Sequence, residues 1–332
     1  MKDVTIYDVA ERAQVSISTV SLALNHPARL KRSTLDRVLQ VADDLGFVPK
    51  ERAVVRARKG VHRIAAVAPF TSYASFSRRL AGVFDELGDR GEQLIVSDCA
   101  DIAVSASPVL ASIPVRGHVD GLLNLGVPLD EKIGERLRQR LPTVLLDTRY
   151  PGLPDISVDD HLGGRLVGEY LAGLGHRKVA FLNEVETYPF ESPPVLRLAG
   201  LRSVLGSDAV VEITVPRGTS AGAEAVAQLL ADGASPVTAV VGCRDLVALG
   251  ALAELRARGL SVPGDVSVVG FDDDPVAEAL GLTTVRHPFE ESGRLALRTL
   301  RRMLAAPGEP IASRRLPLTL VPRATTGPAL VA

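Results

Sequence analysis

Thr5-Ile6-Tyr7-Asp8-Val9-Ala10-Glu11-Arg12-Ala13-Gln14-Val15-Ser16-Ile17-Ser18-Thr19-Val20-Ser21-Leu22-Ala23-Leu24-Asn25 carries two helix starts and one tight turn. Apolar residues recur at helical spacing at Ile6, Val9, Ala10 and Ala13, again at Val20 and Leu24, and beyond this stretch at Leu35, Val38, Leu39, Ala42 and Leu45. Three short helices follow. Thr5 and Asp8 have the spacing of a reciprocal cap, in which the hydroxyl accepts from an orphan N–H and the carboxylate reaches back to the cap's own N–H. Ser16 caps the second helix. Ala13-Gln14-Val15-Ser16 leaves a turn of only a few residues between them, the connection of a helix-turn-helix. In that motif the second helix enters the major groove and its first residues read base edges. Ile17, Ser18 and Leu22 project from it, where a hydroxyl can bond a base or phosphate and aliphatic groups can meet thymine methyls. On pattern alone, the competing reading is a three-helix bundle with no role on DNA.

The charge favours DNA. Residues 1–60 hold eleven Lys and Arg against seven Asp and Glu, a net +4 in a chain whose total is -1. The other 272 residues therefore carry -5. A basic head on an acidic body places any contact with a polyanion on the head. Phe47-Val48-Pro49 closes the third helix, because the residue before proline is pushed out of the helical region. Lys50 to Gly60 then carries five bases and one acid. We divide the chain into a helix-turn-helix domain over 1–46, a hinge over 47–63 and a body over 64–332.

Along the body, strand-like aliphatic runs alternate with helical segments: Ile64–Ala68, Gln93–Val96, Val119–Leu123, Val144–Asp147, Lys178–Leu182, Thr238–Val241 and Val266–Gly270. Runs apolar on both faces and separated by crossovers mean parallel sheets covered on both sides, a doubly wound α/β body. At this length it divides into two subdomains, with a cleft where the carboxyl ends of the strands face each other. No apolar run approaches the ~18 residues of a membrane span, and Met1 to Asp8 lacks the apolar core of a signal peptide, so a cytoplasmic protein with no membrane partner is expected. Cys99 and Cys243 are too few for a disulfide framework or a four-cysteine zinc site. The chain has no G-x-x-x-x-G-K-[ST] loop, G-x-S-x-G elbow or H-E-x-x-H pair, and its six histidines are scattered. That argues against an enzyme, a metal and a cofactor.

The pattern Thr5-Ile6-x-Asp8-Val9-Ala10-x-x-Ala13-x-Val15-Ser16-x-x-Thr19-Val20-Ser21-x-x-Leu24-Asn25 resembles the N-terminal signature of the lactose-repressor (LacI/GalR) family. The resemblance implies that Thr5, Ser16, Thr19, Ser21 and Asn25 hold phosphates or the helix frame, while Ile17, Ser18 and Leu22 read sequence. Gln14 stands where the family usually has glycine, and glutamine tolerates a left-handed backbone less well. In family members the hinge forms a short helix whose leucine wedges into the minor groove. That place falls here on Arg56, with Val54 or Val55 able to take over the wedge, so Val55 and Arg56 join the DNA-contact set.

The body resembles the same family's effector domain, which shares the type I fold of periplasmic sugar-binding proteins. The matching pieces include Gly175-His176-Arg177-Lys178-Val179-Ala180, Arg197-x-x-Gly200, Gly242-Cys243-Arg244-Asp245-x-x-Ala248-x-Gly250 and Val266-Ser267-Val268-Val269-Gly270-Phe271-Asp272-Asp273. The family's three crossings fall near residues 160, 287 and 316. They give an N-terminal subdomain of about 64–159 and 288–315, and a C-terminal one of about 160–287 and 316–332. The resemblance points to Arg197, Arg244 and Asp272 as polar effector contacts, with Tyr73 and Phe289 as walls. A carboxylate accepts from sugar hydroxyls and a guanidinium donates a planar fork. Arg244 stands where many relatives carry Asn, which favours an anionic effector such as a sugar acid or sugar phosphate, with Arg149 adding to the field. Asp272 is the obvious ion-pair partner for Arg244. The resemblance implies a sequence-specific transcriptional regulator in the cytoplasm, on the nucleoid. It would be a repressor, acting as a homodimer on a near-palindromic operator under control of a sugar-like effector. The competing readings are a solute-binding protein sharing the body and a sugar-acting enzyme. The first has no use for a DNA-reading head, and the second lacks legible catalytic groups.

Overall fold

A computed structural model describes residues 4–47, 62–70, 74–89, 91–99, 108–116, 118–185, 192–218, 220–231 and 237–330. Val55, Arg56 and Tyr73, expected at the DNA and effector sites, lie outside the described residues. The head contains α1 (Ile6–Ala13), α2 (Ile17–Asn25) and α3 (Arg32–Asp44). Its core is the apolar set read from the spacing: Val9, Ala10, Ala13, Val20, Leu24, Leu35, Val38, Leu39 and Ala42 are all buried. The Asp8 carboxylate accepts from the Thr5 N–H at 2.7 Å and from the Thr5 hydroxyl at 2.6 Å. Both halves of the reciprocal cap expected from the sequence are present. Gln14 takes the left-handed conformation (φ 55°, ψ 47°) that ends α1, and its N–H bonds the carbonyls of Ala10 and Glu11.

The chain divides into two compact units, Met1–Ser157 with Phe289–Arg315 and Val158–Pro288 with Leu316–Ala332. In the first, β1 (Arg63–Ala68), β2 (Gln93–Asp98), β3 (Gly121–Leu125), β4 (Thr143–Leu146), β5 (Asp155–Ser157) and β11 (Arg314–Arg315) form one parallel sheet in the order β11-β5-β4-β3-β1-β2. Helices α4 (Ala74–Leu87), α5 (Pro108–Arg116), α6 (Glu131–Arg140) and α12 (Phe289–Ala305) accompany it. The buried side chains of β3 and β4 show why their sequences are apolar throughout: both faces are covered there. Strand β2, expected from its sequence to be covered as well, is an edge strand that leaves Ile95 and Val96 exposed. The head belongs to this unit. Its α2 and α3 pack on α5, and Asp43 is held by Arg136 Nε at 2.5 Å and Arg140 Nε at 3.1 Å from α6.

The second unit has a parallel sheet in the order β7-β6-β8-β9, made of β6 (Val179–Glu184), β7 (Val210–Val215), β8 (Ala239–Gly242) and β9 (Ser267–Val269). An antiparallel pair, β10 (Thr284–Arg286) and β12 (Thr319–Val321), lies beside it, bridged through Val269 to Thr283 and Asp272 to Arg286. Helices α7 (Asp160–Gly173), α8 (Pro193–Leu205), α9 (Ala221–Ala231), α10 (Asp245–Ala257) and α11 (Pro275–Ala279) complete it. Strand β6 pairs with β7 on one side and β8 on the other, so the order of winding reverses there. In open α/β sheets, ligands bind outside the carboxyl ends of the strands at such a reversal. Among the described residues no helix is long and apolar enough to cross a membrane.

Candidate functional site

The head presents the first turn of α2 to solvent. Ser16 caps α2, its oxygen accepting from the Thr19 N–H at 3.1 Å. Its hydroxyl also lies 2.7 Å from that of Ser18 and 2.8 Å from that of Thr19, which makes a small cluster of groups that can donate and accept. Ile17 is 43% exposed, an unusual outlay for a large aliphatic side chain in a small helical domain. Ser18 and Asn25 are exposed, Thr5, Thr19, Ser21 and Leu22 half-buried, and the Asn25 amide donates to Ser21 at 3.4 Å. The opposite face of α2, through Val20, Ala23 and Leu24, is buried. Tyr7 on α1, not among the residues singled out from the sequence, is 66% exposed.

A second cluster stands in the other unit, where the carboxyl ends of β6, β8 and β9 lead to Glu184, Arg244 and Asp272. Arg197 on α8 is its hub. Gly164 and Gly200 let the α7 and α8 backbones come so close that a Cβ at either would run into the other helix. This brings Arg197 to Asp160 at the start of α7. The guanidinium donates to Asp160 at 2.8 Å through Nε, to the Cys243 carbonyl at 2.7 Å through Nη1 and to Asp272 at 3.5 Å through Nη2. It also lies over the Phe271 ring, 4.0 Å from its centre. Arg197 is only 5% exposed, so it is spent on holding carboxylates in place.

Asp272 is also buried, and its backbone is left-handed at φ 112°. Burial pushes its carboxyl up to about 6, opposed by Arg197 and Arg244 and assisted by Asp274 and Asp160. Arg244 is ion-paired with Glu184, at the end of β6, and its charge also acts on Asp272, the partner expected from the sequence. The reason is positional: β6 and β8 are neighbouring parallel strands, so their carboxyl ends emerge side by side. The structure thus brings Arg197, Arg244 and Asp272 together. Asp160 and Glu184 were not singled out from the sequence, although Glu184 is the acidic end of a strand that is apolar from Val179 to Leu182.

Phe289 lies in the first unit, 2% exposed and flanked by the guanidinium groups of Arg78 at 4.9 Å and Arg79 at 4.4 Å. Arg79 pairs with Asp147 beyond β4. The side chain of Arg149, in the same unit, is 61% exposed and bonds the Ser157 hydroxyl at 3.3 Å.

Comparison with known proteins matches residues 5–50 to the bacterial regulatory proteins of the lacI family and residues 169–326 to the periplasmic binding protein-like domain. An HTH-type transcriptional regulator of Mycobacterium tuberculosis is 30% identical over 325 residues, which cover 88% of this chain and 89% of the relative. The chain belongs to the LacI family. Among solved LacI-family structures, the Lac repressor dimer bound to operator and the anti-inducer ONPF superposes with a TM-score of 0.68 at 28% identity. That likeness spans 98% of this chain and 100% of that one. A LacI-family regulator of Enterococcus faecium with bound ribose gives 0.70 at 26% identity, covering 81% of this chain and 100% of that one. The helix-turn-helix and the type I binding fold expected from the sequence are thus the architecture of this LacI-family protein.

Proposed function

We propose that this LacI-family protein is a cytoplasmic transcriptional repressor, acting on the nucleoid as a homodimer. It binds operator DNA through α2, and a sugar bound at the Arg197–Asp272 cluster changes its affinity for DNA. The observation that carries the reading is the exposed first turn of α2, where Ile17 and the Ser16, Ser18 and Thr19 hydroxyls stand together in solvent. Ser16 and Thr19, with Thr5, Ser21 and Asn25, hold phosphates, Ile17, Ser18 and Leu22 read bases, and Val55 and Arg56 follow in the minor groove. The protein works by binding and not by catalysis, in line with relatives named as regulators.

For the effector, Asp272 accepts hydroxyl hydrogen bonds, Arg197 orients it, and Arg244 stands beside it. The electrostatics revise the expectation of an anionic ligand. Among the described residues the two guanidiniums are met by Asp160, Glu184 and Asp272, which speaks for a neutral ligand over an anion. A neutral, hydroxyl-rich sugar suits it better, and the ribose-bound relative supports that class. The test is a selection of genomic duplexes at physiological salt with and without neutral sugars. A specific site is expected to bind at least ~10³-fold tighter than random duplex. No preference under any condition would refute the reading.

A further inference from the structure

Asp245, the first residue of α10, is fully buried under the turn that carries Asp272. Its Oδ2 accepts the Asp274 N–H at 2.7 Å, and its Oδ1 lies 2.6 Å from the Thr284 hydroxyl of β10. Its own N–H donates to the Phe271 carbonyl at 2.7 Å. It therefore grips the turn on both sides of Asp272 and ties it to the next strand. Gly270 leaves room for this grip, because a Cβ there would run into Oδ1 of Asp245. The turn needs holding: Asp272 and Asp273 have φ of 112° and 54°. Such conformations cost non-glycine residues about 1–3 kcal/mol each and persist only where the surroundings over-determine them.

We infer that Asp245 is a positioning residue for the effector site, an internal clamp that fixes the strained Gly270–Asp274 turn so that the Asp272 carboxylate meets both Arg197 and the ligand. The inference rests on the reading of Asp272 as an effector contact. Burial, with the charge of Asp272 adding to it, pushes the Asp245 carboxyl up to about 8, and Asp274 acts in the same direction. The other charges around Asp272 are Arg197 from α8, Arg244 ahead of α10 and Asp160 from α7. Asp273 is engaged by Arg286 at 2.6 Å and Arg323 at 2.7 Å. Near neutrality Asp245 keeps its proton while its carboxyl oxygens accept from the Thr284 hydroxyl and the Asp274 N–H. In alkali it loses the proton to solvent, and two carboxylates then repel across the turn. Effector affinity should fall as pH rises through 8.

The test uses the full-length protein and its Asp245→Asn, Asp245→Ala and Thr284→Val variants. Amide hydrogen exchange is read at Asp273 and Asp274, and calorimetry with D-ribose, D-glucose, D-galactose and cellobiose is run at pH 6.5 and 9. Asp245→Ala should speed exchange at those two amides by about tenfold or more, Thr284→Val by less, and Asp245→Asn hardly at all. Wild type should lose roughly three- to tenfold in sugar affinity between the two pH values, while Asp245→Asn stays level. If Asp245→Ala fails to fold, the Thr284→Val exchange and the Asp245→Asn pH profile decide. If no sugar binds wild type, the effector reading fails, and the clamp is judged by exchange alone. Wild-type exchange at both amides in folded Asp245→Ala and Thr284→Val, or an Asp245→Asn pH profile equal to that of wild type, overturns the clamp.

Discussion

Glu184 decides what Arg244 can do. As long as its carboxylate occupies the guanidinium, an incoming anion must displace a buried acid, which costs more than the new pair returns. Glu184→Gln removes that competitor while keeping the shape. We expect the variant to bind a sugar acid about tenfold or more tighter than wild type does, with neutral-sugar affinity changed far less, as read by calorimetry. Asp245 and Asp272 make a separate prediction about stability. Both carboxyls are raised, to about 8 and about 6, so between roughly pH 4 and 8 the folded state holds protons that the unfolded chain has lost. Stability therefore falls as pH rises through that window. Asp273 and Glu290 shift the other way, held down by arginine hydrogen bonds against burial, and their contribution disappears only below the ordinary carboxylate range. Thermal unfolding should have a higher midpoint at pH 6 than at pH 8.5, and Asp245→Asn should flatten the difference.

At the scale of elements, the turn between α1 and α2 carries a residue ill suited to its backbone. Gln14 sits at φ 55°, where a side chain crowds the carbonyl, so Gln14→Gly should stabilise the head by about 0.5–1 kcal/mol. Ser16→Ala should destabilise it by about 1 kcal/mol through loss of the α2 cap. Slower and faster amide exchange in α1 to α3, respectively, would register these changes. Both positions were legible in the sequence because caps and turns are local chemistry, as were the long strands whose apolar runs are buried on both faces. Strand β7 escaped notice because Glu212 and Thr214 interrupt its aliphatic run at the open edge of the sheet. Strands β5, β10, β11 and β12 are only two or three residues long, too short to show a period. The cluster around Arg197 was legible only in part. Arg197, Arg244 and Asp272 follow from motifs at strand ends and on α8, but their partners are fixed by packing across distant sequence. Nothing local announces that Gly164 and Gly200 bring Asp160 under Arg197, or that β6 delivers Glu184 to Arg244.

At the scale of the whole molecule, the proposed operator binding calls for two heads, since one helix-turn-helix grips a single half-site and a two-fold dimer grips both. The surface of the second unit carries large aliphatic side chains that water serves badly: Leu246 on α10 is 53% exposed, with Val276 at 47% and Leu280 at 50% around α11. The first unit exposes Ile95 and Val96 on the edge strand β2 and Phe84 on α4. A second copy using the same patches would cover both sets, and it would also cap an edge strand that otherwise invites non-specific pairing. Leu280→Asp places a charge on one of these exposed positions, 50% open to solvent. Sedimentation at micromolar concentration should show a monomer where wild type is a dimer. Operator affinity should then fall by about 10²-fold or more as the second head's contribution is lost. The slope of log affinity against log salt should drop to about half, because only one half-site's phosphates are neutralised. A variant that stays dimeric, or one that is monomeric yet keeps wild-type affinity and salt slope, would show that these patches do not join the two heads.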